Sequence, residues 1–351
     1  MQRLLRAVKG KDDPRLVSIA AELAQKNSVI NQLLVERDEL VVERDALVVE
    51  RDTLNATKNS VINQLIAERD ALNATIANMT RQISETMRIG GAVAQETDVS
   101  ETLRARYLDL MEAVLIGSIY EDPPMELWGN KDYHKDTRDR GLDWPKKAYS
   151  MIGAGRMRNF RSLVERVILE GVPGDIVETG VWRGGASILA RGVLAAYDVK
   201  NRRIFVTDSF EGLPPPDVEH YPVDEGLTFH ECPELAVSLE VVRENFQKFG
   251  LLDAQVVFVK GWFRDTIPSL DITNISVLRL DGDMYESTII PLTHLYDKIS
   301  AGGWVIVDDY FVVPACKAAV HDFFRDRKLS PDIKAIDGVG VYFQKPKTPF
   351  A

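Results

Sequence analysis

ISVLRLDGD, residues 275–283, is a short apolar run that ends abruptly in acid. Asp281 follows Leu280 directly, and a second aspartate, Asp283, comes after one glycine. A run this rich in Ile, Val and Leu is typical of a strand that helices cover on both faces. The stretch therefore predicts an internal strand of a parallel sheet, and its two acids require either water or a positively charged partner.

The same design recurs through the C-terminal part of the chain, with helical segments between the apolar runs. The predicted strands are 174–180, 203–210, 254–263, 275–283 and 303–310. The predicted helices are 186–198, 235–249, 288–299 and 314–326, and 332–345 is predicted to form two further strands around a glycine-rich turn. This alternation predicts the α/β class, with a doubly wound, mostly parallel, Rossmann-like sheet.

The N-terminal part of the chain has a different composition. Residues 16–87 contain neither proline nor glycine, and KNSVINQLLVERDEL at 26–40 returns almost unchanged at 58–72. Leucines recur at a seven-residue step, at Leu33, Leu40, Leu47 and Leu54. This period predicts a coiled-coil helix over 16–88 through which copies of the chain associate. A single charged helix without a partner remains an alternative. With the leucines at heptad position d, position a is occupied by Arg37, Arg44 and Arg51, which weaken the packing of a coiled coil.

These differences in composition divide the chain into segments. We predict a tail (1–15), the coiled-coil helix (16–88), a linker (89–102), a helical and lid segment (103–153) and an α/β domain (154–351). In the helical and lid segment, 106–120 has helical periodicity. Residues 121–150 combine prolines, charges and aromatic side chains, which is typical of a loop or lid.

Charge and cysteine content exclude several classes of protein. The formal net charge is −10 and the isoelectric point is about 5.2, which argues against nucleic acid or an anionic membrane as the main partner. Cys232 and Cys316 form no disulfide framework, and five scattered histidines make a zinc site improbable. No apolar window of about 18 residues predicts a membrane span, and the N-terminus does not read as a secretory signal. We therefore expect a cytoplasmic protein.

In a doubly wound sheet, ligands bind at the carboxyl ends of the strands. The first strand ends in Glu178 and is followed by Gly180, a residue that allows a tight turn and close approach of a ligand to the backbone. The second ends in Asp208, a carboxylate well placed to accept from both ribose hydroxyls. Together they indicate an adenosine-containing cofactor. The missing GxGxxG motif disfavours a nicotinamide-linked dehydrogenase, although glycine turns and capping acids are also common without a ligand.

Acids also end the fourth and fifth strands, at Asp281 and at Asp308-Asp309. Carboxylates so close together repel each other, and one of them would protonate unless a cation lies between them. Oxygen ligands without His or Cys suit a hard ion such as Mg²⁺. The alternatives are that these acids are solvated, and that Asp283 caps the helix that starts near Ser287.

Several long motifs, in order, resemble the macrocin O-methyltransferase family (TylF type) over residues 103–346. They are MIGAGRMRNF (151–160), VPGDIVETGVWRGGA (172–186), VTDSFEGLPPPD (206–217), LDGDMYES (280–287) and GGWVIVDDY (302–310). The resemblance implies a class I methyltransferase fold, S-adenosylmethionine as methyl donor, a divalent metal, usually Mg²⁺, and a sugar hydroxyl as acceptor. It does not extend to the coiled-coil segment.

Family roles carried onto this sequence give a set of expected site residues. The cofactor residues implied are Ile152, Gly153, Glu178, Thr179, Gly180, Val181, Trp182, Asp208, Ser209, Phe210, Glu211, Gly212, Trp262 and Phe263. Asp208 would bind the ribose, Ile152 and Gly153 would cover the methionine end, and Trp262 and Phe263 would lie near the adenine. Asp281, Asp308 and Asp309 would bind the metal, with Asp281 also acting as general base. The segment around 120–150 would form the lid over the acceptor.

Two other functional hypotheses remain open on the sequence alone. The metal site would also suit a catechol or another small hydroxylated acceptor. Alternatively, the coiled coil would be the function, as a scaffold that carries a degenerate domain. A long coiled coil would also hold several active sites at a set distance, which would suit a polysaccharide or lipid-linked glycan acceptor.

Overall fold

The computed structural model describes residues 95–126 and 132–347, together with Glu22, Gln25 and Lys26. The chain divides into the units Met1–Ala94 and Gln95–Ala351. The predicted tail and coiled coil lie outside the described residues, apart from those three. The predicted self-association therefore stays a prediction, and the following description concerns the second unit.

The second unit is built on a seven-stranded mixed sheet. The strands are β1 (Asp175–Thr179), β2 (Ile204–Asp208), β3 (Val256–Lys260), β4 (Ile275–Leu280), β5 (Ile299–Val307), β6 (Lys334–Ala335) and β7 (Val341–Gln344). Their order is β3-β2-β1-β4-β5-β7-β6, with β1 to β5 parallel and the last two antiparallel. The predicted doubly wound, mostly parallel sheet and its two-stranded C-terminal tail are confirmed.

Helices cover both faces of this sheet. They are α1 (Gln95–Leu115), α2 (Lys135–Asp139), α3 (Gly153–Leu169), α4 (Gly185–Ala196), α5 (Leu239–Lys248), α6 (Phe263–Thr266), α7 (Tyr285–Leu295) and α8 (Pro314–Asp326). Ile176 and Val277 pack on the face covered by α1, α3, α4 and α5, while the next residue of each strand packs on the face covered by α7 and α8. Both side-chain sets of a strand are therefore buried, which explains its continuous apolar sequence.

Several boundaries differ from the predicted ones. Helix α1 begins inside the stretch predicted as a linker. Helix α5 begins only at Leu239, after two 3-10 turns, where the Ser238 hydroxyl accepts from the Val241 backbone N–H. The helix predicted at 288–299 instead spans Tyr285–Leu295, and β5 begins at Ile299 rather than at Gly303.

The described part of the predicted lid segment is held by a buried ion pair. Arg138 has no exposed surface, and its guanidinium donates to both carboxylate oxygens of Asp143 at 2.8 Å. It also donates to the backbone carbonyls of Ile116 and Asp122. These contacts hold the described residues on the two sides of Arg138, Ile116 and Asp122 on one side and Asp143 on the other, close together.

None of the described helices is long and apolar enough to cross a membrane. The predicted cytoplasmic location stays a prediction.

Candidate active site

A cavity of about 450 Å³ lies at the edge of the sheet where the parallel strands end. Residues that follow β1, β2, β3, β4 and β5 form its walls, and Gly141, Leu142 and Trp144 of the lid segment close one side. The topology accounts for this location, because right-handed crossovers bring every parallel strand's carboxyl end to one edge.

The turn after β1 is fixed by its contact with the turn after β4. Gly180 has φ +83°, a conformation that glycine adopts without steric cost. Its backbone N–H donates to the Thr207 carbonyl at 2.9 Å. A Cβ at this residue would lie 1.7 Å from the Asp281 carbonyl oxygen. The two turns therefore approach each other more closely than any side chain at residue 180 would allow.

Asp208 holds the same turn from the β2 side. One carboxylate oxygen accepts from the Val181 backbone N–H at 2.7 Å, and the other accepts from the Phe210 backbone N–H at 2.7 Å. Burial raises the pKa of this carboxyl, and the backbone hydrogen bonds oppose the rise. Asp208 also lines the cavity. It therefore shapes the predicted cofactor turn, whereas its role on a ribose stays a prediction.

Most of the predicted cofactor residues line this cavity. Those on its wall are Ile152, Glu178, Gly180, Val181, Trp182, Asp208, Ser209, Gly212, Trp262 and Phe263. Four others are not on the wall, for reasons visible in their contacts. The side chain of Thr179 is buried in the sheet, Phe210 packs against Phe258, Glu211 pairs with Lys260, and Gly153 lies against the backbone of Gly141.

The three predicted metal ligands come together at the floor of the cavity. Asp281, Asp308 and Asp309 each offer one carboxylate oxygen within 4.8 Å of the other two. Burial raises the pKa of Asp281 to about 6, against the opposing charge of Arg279. Burial also raises the pKa of Asp309 well above its usual range, and the neighbouring carboxylates add to the rise. Loss of hydration therefore disfavours the charged forms of these two carboxyls, and a bound cation would offset that cost.

Two buried arginines lie among these acids, and neither is among the predicted site residues. Arg279 pairs with Glu178 and Asp281 at 2.7 Å and with Asp308 at 2.5 Å. Arg156 of α3 also pairs with Asp308. A signal for Arg279 was present in the sequence, because a charged residue within an apolar, doubly covered strand needs a buried partner.

Asp283 does not cap the following helix. Helix α7 begins at Tyr285, and the capping carboxylate is Asp224, from the loop that follows β2. Its two oxygens accept from the backbone N–H groups of Tyr285 at 2.7 Å and Glu286 at 3.0 Å. Asp283 instead lines the cavity, in a left-handed backbone conformation with φ +59°. The capping alternative is therefore wrong for this residue.

The residues at the floor of the cavity fit a hard divalent cation. Oδ2 of Asp309 is buried, and no group in the described ranges donates a hydrogen bond to it. Every candidate ligand atom of the Asp281, Asp308 and Asp309 cluster is a carboxylate oxygen, which is the donor type that Mg²⁺ prefers. A buried acceptor without a donor is costly, and a cation would remove that cost.

Comparison with known proteins decides the family. Residues 104–345 match the family model described as "Macrocin-O-methyltransferase (TylF)". The chain is a member of the macrocin O-methyltransferase family. This result confirms the resemblance inferred from the motifs, and the match ends within a residue or two of the predicted limits.

Curated relatives of this macrocin O-methyltransferase family member align with more than two thirds of the chain. Demethyldecarbamoylnovobiocin O-methyltransferase of Streptomyces niveus is 48% identical over 258 residues, which are 72% of this chain and 97% of the relative. The 8-demethyl-8-(2,3-dimethoxy-alpha-L-rhamnosyl)-tetracenomycin-C 4'-O-methyltransferase of Streptomyces olivaceus is 47% identical over 250 residues, covering 70% of this chain and 95% of the relative.

A solved structure gives the same assignment. The O-methyltransferase NovP superposes with a TM-score of 0.67 at 48% identity, over 69% of this chain and 99% of NovP. The class I methyltransferase fold is thereby confirmed. The protein is an O-methyltransferase, so the hypothesis of a coiled-coil scaffold with a degenerate domain is not supported.

Proposed function

We propose that this enzyme transfers the methyl group of S-adenosylmethionine to a hydroxyl of a sugar, with Mg²⁺ held by Asp281, Asp308 and Asp309. The observation that carries the proposal is the meeting of the three carboxylates within 4.8 Å on the floor of a cavity. A second feature supports the methyl donor. The turn after β1, with Gly180, and Asp208 at the end of β2 would together hold an adenosine-containing molecule. The sugar acceptor is supported by the rhamnosyl group in the name of one relative.

Asp281 is suited to remove the proton of the acceptor hydroxyl. Its Oδ2 is anchored by Arg279 at 2.7 Å, while Oδ1 accepts no hydrogen bond from the described part of the chain. One oxygen therefore fixes the orientation of the carboxylate, and the other is left to accept a proton. Bound Mg²⁺ would supply the remaining chemistry, by lowering the pKa of the hydroxyl and orienting its oxygen.

The walls of the cavity favour transfer of the methyl group. The largely apolar side chains of Val181, Trp182, Trp262 and Phe263 line the cavity. The sulfonium of the donor loses its charge during transfer, so a wall that excludes water stabilises the transition state relative to the ground state. Lid residues Leu142 and Trp144 complete the enclosure and would contact the acceptor.

The proposal predicts metal-dependent methylation of a sugar. The full chain is incubated with methyl-labelled S-adenosylmethionine and either methyl α-L-rhamnoside, an aromatic rhamnoside or a catechol, with Mg²⁺ or with EDTA. Labelled product is expected from a rhamnoside, and EDTA is expected to reduce the rate by at least about 100-fold. If only the catechol becomes labelled, the acceptor is a catechol and the proposal of a sugar acceptor is wrong. A methylation rate that EDTA does not reduce would contradict the proposed dependence on a metal.

We also propose that residues 16–88 join copies of the enzyme through a coiled coil. The support is the leucine period of the sequence, and the residues lie outside the described ranges. Association would place several active sites on one particle, which suits a repetitive glycan acceptor.

Substituting two seam leucines is expected to dissociate the particle. In the full chain, Leu40→Glu with Leu47→Glu removes apolar burial of roughly 3 kcal/mol or more per chain, so association weakens by more than about 100-fold. Analytical ultracentrifugation is expected to show the 39.4 kDa monomer. The control is Ala46→Glu, which adds a charge just outside the leucine seam. Equal masses for the double variant and the parent would contradict the coiled coil.

A further inference from the structure

Arg279 touches an acid from each of three neighbouring strands. It is the fifth residue of β4 and is 1% exposed. Its Nη1 donates to Glu178 within β1 and to Asp281 after β4, both at 2.7 Å, and its Nη2 donates to Asp308 after β5 at 2.5 Å. No other described side chain links these three acids. The guanidinium thus lies among the three acids, and Arg279 is itself one of the residues that line the cavity.

This arrangement has a clear energetic reason. Three carboxylates buried together without a countercharge would each be strongly destabilised by the loss of hydration, and they would also repel one another. A guanidinium offers five donors in a fixed plane and keeps its charge at all relevant pH values, so one arginine can satisfy several carboxylates at once. Arg156 adds a second positive charge, through its contact with Asp308.

The same contacts show which carboxylate oxygens already accept hydrogen bonds and which do not. Both carboxylate oxygens of Asp308 accept from arginines, Oδ1 from Arg279 and Oδ2 from Arg156. In contrast, Oδ1 of Asp281 and Oδ2 of Asp309 receive no hydrogen bond from the described residues. A divalent ion would therefore share Asp281 and Asp308 with Arg279 rather than replace it.

We infer that Arg279 is an internal counter-cation that keeps the carboxylates assembled in the metal-free enzyme. The inference rests on the proposed metal site and gives Arg279 a positioning role, which it exerts through the three acids that it contacts. It follows that the enzyme folds without metal and that the divalent ion is an exchangeable cofactor. Without Arg279, Arg156 is the remaining described cation that pairs with these acids, so the stability of the fold is expected to depend more strongly on a bound metal.

Thermal unfolding of the full chain tests this inference without any acceptor. Far-UV circular dichroism gives the Tm of the parent and of Arg279→Met, each in EDTA and in 10 mM Mg²⁺. In EDTA the variant is expected to unfold on the order of 10 °C below the parent, because breaking a buried ion pair leaves uncompensated charge. Mg²⁺ is expected to restore at least half of that loss while moving the parent by only a few degrees.

Further variants separate a counter-cation from a packing role. Arg279→Lys keeps the charge without the planar fork, so its Tm in EDTA is expected to lie between those of the parent and Arg279→Met. Adding Glu178→Gln to Arg279→Met removes one buried negative charge and is expected to raise the Tm in EDTA. The control is Arg203→Met, which breaks an exposed pair with Asp175 at the opposite end of the sheet. It is expected to show no dependence on Mg²⁺.

Two results would overturn the inference. One is an Arg279→Met variant that loses the same number of degrees in EDTA and in Mg²⁺, since packing alone would then explain the loss. The other is an Arg279→Met variant whose Tm in EDTA equals the Tm of the parent in EDTA. If Arg279→Met does not fold, a Tm of Arg279→Lys that is equally low with and without Mg²⁺ overturns it. If the parent enzyme transfers methyl groups but one of these results is obtained, the proposed function stands and only the role of Arg279 as a counter-cation is overturned.

Discussion

The Asp281→Asn variant is expected to lose methyl transfer by about 10³-fold or more while keeping its fold. Asparagine has the same size but cannot take up a proton as a base, and its neutral oxygen is a weaker ligand for a hard cation. Arg279 keeps its pairs with Glu178 and Asp308 in the variant, so the floor of the cavity stays assembled. The rate is measured with labelled S-adenosylmethionine and the acceptor found in the rhamnoside assay.

Two measurements show that such a loss is chemical rather than structural. Calorimetric binding of S-adenosylhomocysteine and the circular dichroism spectrum of Asp281→Asn are expected to match those of the parent. The matched control is Asp253→Asn, an aspartate that pairs with Arg191 outside the cavity. Its turnover is expected to stay within about twofold, since a partly exposed pair contributes little to stability. Full turnover by Asp281→Asn would show that Asp281 is neither the general base nor a required metal ligand.

The Gly180→Ala variant is expected to lose about 3–5 kcal/mol of the free energy of unfolding. The positive φ of Gly180 costs an alanine roughly 1 kcal/mol, and the added Cβ would also lie 1.7 Å from the Asp281 carbonyl oxygen. That oxygen belongs to backbone and cannot rotate away. The turns after β1 and β4 must separate, and S-adenosylhomocysteine binding is expected to fall with them. Urea unfolding and calorimetry measure both losses.

Gly250→Ala is the matched control for this substitution. Gly250 has a similar φ of +67°, yet a Cβ there would meet no heavy atom within 4 Å. It is expected to lose only the conformational cost of about 1 kcal/mol. Equal losses for the two variants would mean that the close approach of the two turns has no energetic importance. A Gly180→Ala protein with parental stability would contradict the geometry of the site itself.

Local patterns were sufficient to predict the sheet and the acidic edge. Runs of Val, Ile and Leu predicted all five parallel strands, because a strand covered on both faces is apolar at every residue. Since parallel strands end at one edge, the aspartates that follow β4 and β5 could be expected to meet, and they do. Helix boundaries were less predictable. Helix α7 begins at Tyr285 because Asp224, more than sixty residues earlier in the chain, caps it.

By itself, the sequence determined the α/β class, the heptad period before residue 88 and the identity of the acids at the sheet edge, because periodicity and residue type are local properties. Only the tertiary structure decided which cations stabilise those acids. Arg279 and Arg156 come from different elements, and Asp308 meets both only after α3 packs on the sheet. Long-range electrostatics depends on distances that no spacing along the chain contains. That is why the acids could be predicted, whereas the set of acids that Arg279 and Arg156 pair with could not.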